Sequence, residues 1–133
     1  MNTNADPFKT IFTRERLEAL FPAGRTHQFF EALFGDAEEG AYDIRLGYNG
    51  LGDGHLRFNL ELHQRPGRCL ACNLTYGLPK VFERHPVIDV QGLVRRIDAL
   101  INGQARCTQW RLGSTREIDR GLHVVPLVID IAA

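Results

Sequence analysis

Arg65-Pro66-Gly67-Arg68-Cys69-Leu70-Ala71-Cys72-Asn73-Leu74-Thr75-Tyr76-Gly77-Leu78-Pro79 is the stretch on which the reading of this chain turns. Proline at the second place and glycine at the third place of Arg65-Pro66-Gly67-Arg68 predict a type II turn, because proline presets φ and glycine accepts the positive φ that follows. From Cys69 the pattern has period two. Leu70, Cys72, Leu74 and Tyr76 fall on one face of a strand, and Cys69, Ala71, Asn73 and Thr75 on the other. Gly77 and Pro79 end that strand and hand over to helical periodicity.

The same residues carry a competing pattern. Cys69-x2-Cys72, twelve further residues and His85 match the first three ligand positions of a zinc finger, with Tyr76 and Phe82 at its apolar core positions. The fourth ligand is missing, since the positions where it belongs hold Asp89, Val90 and Gln91. Asp89 is better used as the cap of the helix that follows, and His63 is a second candidate for the place. A strand sends Cys69 and Cys72 to opposite faces, where they cannot share one ion. The expectation is therefore no cofactor, with Cys72 in the core and Cys69 at the surface. Zinc on Cys69, Cys72 and His85 stands as the alternative. A redox pair is disfavoured too, because it needs a helix N-terminus to lower a thiol pKa.

Working outward, Ala41 to Tyr48 alternates, with Tyr42, Ile44, Leu46 and Tyr48 on one face. His55 to His63 alternates likewise, with Leu56, Phe58, Leu60 and Leu62 inward and Arg57, Asn59, Glu61 and His63 outward. Asn49-Gly50 and Asp53-Gly54 are turn signals between them. With Cys69 to Tyr76 these strands make a three-stranded antiparallel meander with one wet face. Upstream, Thr13 caps a helix from Arg14 to Phe21, stopped by Pro22 and Gly24. Thr26 caps a second helix bearing Phe29, Phe30, Leu33 and Phe34 and closed by Gly35. Downstream, a short helix spans Lys80 to His85. Asp89 opens a long amphipathic one with Val90, Leu93, Val94, Ile97 and Ile101 on its apolar face. A C-terminal hairpin follows, pairing Ala105 to Leu112 with Leu122 to Ile131 across the polar turn Ser114 to Arg120. Pro126 cannot donate to a ladder and is expected at an edge or a bulge. The order predicts one α+β domain over 1–133, residues 1–9 being a flexible lead-in, with helices on one face of a largely antiparallel sheet.

Composition limits the function. Sixteen basic residues balance sixteen acidic ones among 133, which argues against a generic nucleic-acid surface. The odd cysteine count of three disfavours a secreted disulfide framework. The N-terminus lacks signal-peptide regions, and no apolar run approaches the ~20 residues that span a bilayer. A cytoplasmic protein is expected. No hydrolase elbow, phosphate-binding loop, zinc-protease helix or dinucleotide fingerprint occurs in the chain. The blocks from Phe29 to Asp36 and from Arg65 to Pro86 resemble a family of small bacterial proteins of similar length with no assigned activity. That resemblance implies a free-standing bacterial cytoplasmic protein and transfers no functional residue.

The leading expectation is a non-catalytic binding or regulatory module that self-associates or docks a protein partner. The Phe29/Phe30/Phe34 cluster and the apolar last strand supply its apolar surface. The alternative is a small-molecule binder or enzyme on the polar sheet face, with His63, Asn73, Tyr76, Arg84 and His85 as candidate ligand-binding residues. Arg84-His85-Pro86 suits an anion or a general acid there, or simply a helix end.

Overall fold

A computed structural model of the protein describes residues 6–36, 40–68 and 77–132. Among them are four helices, α1 (Arg14–Leu20), α2 (Gly24–Phe34), α3 (Leu78–Arg84) and α4 (Val90–Leu100). The five strands are β1 (Tyr42–Gly52), β2 (His55–Gln64), β3 (Arg106–Leu112), β4 (Arg116–Asp119) and β5 (Leu122–Ala132). The strands form one antiparallel sheet in the order β1-β2-β5-β3, and β4 joins β5 beside β3. The α+β class read from the sequence holds.

Local chemistry explains most elements. Thr13 caps α1 by accepting from the Arg16 N–H, and Gly35 closes α2 at a φ of 77°. Asp89 accepts the Gly92 N–H at 3.0 Å, so its carboxylate serves α4 as expected. Asp53 and Gly54 both take positive φ, 52° and 78°, which is the type I′ geometry that matches strand twist. The hairpin tip lies there, and Asn49-Gly50 is a bulge where the register shifts between Tyr48 and Gly50. The Arg65–Arg68 turn forms with a 3.1 Å bond from the Arg68 N–H to the Arg65 carbonyl and a φ of 76° at Gly67.

The meander differs from its sequence reading. Beside β2, the place assigned to Cys69–Tyr76 belongs to β5, paired from His55↔Asp130 to His63↔Leu122. Residues 69–76 themselves lie outside the described residues. β5 is central, which is why Val124 to Ile129 reads as a nearly unbroken apolar run. Pro126 sits inside this central strand, yet its missing donor costs little. Its carbonyl accepts from the Gly113 N–H at 2.8 Å, so its nitrogen faces the same side, at the break between β3 and β4. The polar turn predicted for Ser114 to Arg120 contains β4, which returns through Arg120-Gly121 into β5.

One core lies between sheet and helices. Leu56, Phe58, Leu60 and Leu62 of β2 meet Ile44, Val125, Leu127 and Ile129, and the helical side supplies Phe29, Phe82, Leu93 and Ile97. Each such side chain stabilises the fold by roughly 1.5–3 kcal/mol relative to exposure. Residues 6–12, partly assigned to the lead-in, join this core: Phe8 and Phe12 are buried, and Asp6 accepts from the Phe8 N–H at 2.9 Å. The aromatic stripe of α2 divides, Phe29 and Phe30 being buried while Leu33 and Phe34 are 47% and 58% exposed. No helix among the described residues is long and apolar enough to cross a membrane.

Candidate functional site

The sheet has β1 at one edge and β3 with β4 at the other, and helices approach β1 and β3. At β1, Thr26 is not the cap of α2, which starts at Gly24 with Ala23 before it. Its buried hydroxyl instead reaches the strand edge, accepting the Ile44 N–H at 3.0 Å and donating to the Ile44 carbonyl at 3.4 Å. One side chain thus satisfies both peptide groups of an edge residue. Further along, Asp6 accepts the Leu51 N–H at 3.1 Å and the Tyr48 hydroxyl at 2.6 Å. Burial and the Asp6 carboxylate push the Tyr48 hydroxyl well above the ordinary tyrosine range.

Between these two caps a groove of about 720 Å³ opens along β1 from Ile44 to Gly47. Its helical wall is Leu17 and Phe21 with Arg14 and Glu18 at the rim, and Glu61 and His63 reach it from β2 across the strand. His63 Nε2 lies 2.9 Å from Glu61 Oε1, both side chains being about one-third exposed (34% and 31%). Gly47 makes this possible: a Cβ there would collide with Glu61 Oε2, so the carboxylate lies over the bare backbone of the neighbouring strand. Arg65 braces the end of the same hairpin, bonding Asp43 at 3.1 Å and the Gly40 carbonyl at 3.1 Å over the face of Phe30.

At the β3 edge the chemistry differs. Asp98 of α4 turns onto β3 and accepts the Cys107 N–H at 2.7 Å. Gln91 accepts from the Trp110 indole at 2.7 Å. A smaller hollow of about 390 Å³ lies between these contacts. Burial, reinforced by the Asp98 carboxylate, pushes the Cys107 thiol up to about 12, far from the reactive range.

Among the described residues, the candidates His63, Arg84 and His85 do not assemble into one cluster. His63 lines the groove on the wet face. His85 lies on the helical side, its ring edge-on to Phe29 at 4.8 Å and its Nδ1 accepting the Val87 N–H at 3.1 Å. It therefore closes the loop after α3, and Arg84 is the last residue of that helix. Asn73, Tyr76, Cys69 and Cys72 lie outside the described residues, among which no three metal-ligating side chains converge. Gly47, Leu17 and Phe21 are site residues that the sequence reading did not single out, and Glu61 was read only with His63 on the outward face of its strand. Glu61 and Gly47 were legible only as outward positions on neighbouring strands. His55 also belongs to the wet face, where Asp130 lies 2.7 Å from its Nδ1 and 3.2 Å from Arg111. Compared with protein-family models, curated proteins and solved structures, the chain shows no match.

Proposed function

We propose that the protein is a small binding module without catalytic activity, and that a partner protein docks in the groove between α1 and β1. The observation that carries this reading is a groove in which an apolar helix face, a polar sheet flank and an edge strand converge. Leu33 and Phe34 at the end of α2 support self-association as part of the same reading. The balanced charge of the chain and its odd cysteine number support a cytoplasmic setting.

The dimensions favour one further reading. A volume of about 720 Å³ suits a small molecule, and the Glu61–His63 pair offers it a polar anchor. Amide-shift mapping of labelled protein separates the two. Pools of acetylated, amidated random pentapeptides are expected to move the amides of Leu17, Phe21 and Leu46. A response there to small aromatic acids and amines alone would transfer the site to the second reading. Silence toward both would remove the groove from function. For self-association, sedimentation at high concentration is expected to show a dimer or larger species, and a clean monomer would withdraw that part.

A further inference from the structure

We infer that the groove takes an extended segment of a partner protein as an added strand, paired antiparallel through the peptide groups of Leu46. This rests on the binding reading above and specifies its ligand chemistry.

The argument begins with strand geometry. In an antiparallel ladder the N–H and C=O of one residue point to the same side, and successive residues alternate. Because Ile44 turns its peptide groups to Thr26 and away from β2, Leu46 must do the same. No described residue bonds the Leu46 N–H or C=O. Folded proteins cover, charge or shorten such edges, since an open one recruits another strand. Here Thr26 covers one end and Asp6 the other, and the cover lapses where the groove lies.

The walls then define the guest. A residue opposite Leu46 puts its side chain on the Leu46 face, against Leu17 and Phe21, and should be apolar. Its two neighbours project to the wet face. The one opposite Gly47 meets the Glu61 carboxylate that lies over that glycine, which selects lysine. The one opposite Arg45 meets an exposed guanidinium, which selects glutamate. Every strand pair of the sheet is antiparallel, and that pairing is the more stable per residue. Running antiparallel to β1, the guest therefore reads Lys-Leu-Glu from its N-terminus.

The test uses the full chain and two probes, Ac-Val-Lys-Leu-Glu-Val-NH2 and the charge-swapped Ac-Val-Glu-Leu-Lys-Val-NH2, each at about 1 mM, where weak complexes populate. The readout is hydrogen exchange at single amides. In the free protein the Leu46 N–H should exchange ahead of those of Arg45 and Gly47, which lie in the β1–β2 ladder. The first peptide should slow Leu46 severalfold, and the swapped one should bind about fivefold more weakly through the loss of two cross-strand pairs. Amide shifts at Leu17 and Phe21 with unchanged exchange at Leu46 would overturn strand addition while leaving the docking groove standing. Absence of any response to either peptide would also overturn strand addition, and the groove itself would fall only if the random pools failed as well. Equal binding of the two peptides, with Leu46 protected, would overturn the charge selection.

Discussion

At β1 and at β3, on opposite edges of the sheet, helices reach the strand edge with different chemistry. At β3 a charged side chain, Asp98, takes the Cys107 N–H, and Gln91 holds Trp110 beside it, so α4 lies close along the edge. At β1 a neutral hydroxyl, Thr26, satisfies one residue completely, and the next outward-facing peptide, that of Leu46, is left to the groove. The β3 edge is tied to α4 at Cys107 and at the Trp110 indole, with the hollow of about 390 Å³ between the two contacts. The β1 edge is closed at its ends and open in between. The difference shows how a helix packed at a strand edge either ties that edge through its own polar side chains or frames a groove beside it, depending on where its side chains reach.

The largest test of this contrast is the Thr26→Val change, which keeps the shape and removes the hydroxyl. Two buried peptide groups of Ile44 lose their partner, and stability should fall by about 3 kcal/mol in chemical denaturation. A loss well under half of that would mean the β1 cap is dispensable. At the opposite edge, Asp98→Ala strands one half-buried N–H and should cost about 1–2 kcal/mol by the same measurement. If the second loss exceeded the first, the ranking of the two edges would be reversed.

Alkaline titration separates the edges next. The folded protein holds the Cys107 thiol proton up to about 12, while the unfolded chain releases it near 9.0. The folded state then binds more protons than the unfolded one in that window, so stability is present below pH 9 and declines as pH rises from 9 toward 12. Tyr48, held above its ordinary value of 10.0, adds to the same slope at higher pH. Asp98→Asn keeps an acceptor for the Cys107 N–H and removes the charge. Cys107 should therefore alkylate with iodoacetamide faster at pH 9.5 than in the parent, and an unchanged rate would refute the carboxylate's part. Thr26 does not titrate, so its cap contributes no such slope.

The smallest expected stability change is at Gly47→Ala. The new Cβ meets only the far end of the flexible Glu61 side chain, so stability should stay within about 0.5 kcal/mol. The displaced carboxylate should nevertheless erase the preference for Lys-Leu-Glu over its charge-swapped partner. Retained preference would show that Glu61 does not set it.

Much of the fold was legible in short-range patterns. Alternation gave β1 and β2 their inward rows, and Asp53-Gly54, Thr13, Gly35 and Asp89 marked turns and caps, because each acts within a few residues of itself. The candidate site was much less legible. Of the described residues proposed from sequence, only His63 lines the groove, while His85 proved to close a local loop. Glu61 was visible as a polar neighbour of His63, but its position over Gly47 depends on cross-strand register. Thr26 looked like a helix cap because threonine suits that role, yet its partner is eighteen residues away in β1.

The sequence by itself determined the class of structure, the location of most helices and strands, and which face of β1 and β2 is dry. These follow from side-chain periodicity and from turn residues whose φ values are local properties. Only the tertiary structure decided that β5 enters beside β2, that Pro126 faces a break in its neighbour, and that Leu46 is left at an open edge. Those outcomes depend on which strands pair and which side chains arrive from distant helices. Such contacts are selected by the burial of the whole core, and no local pattern encodes them.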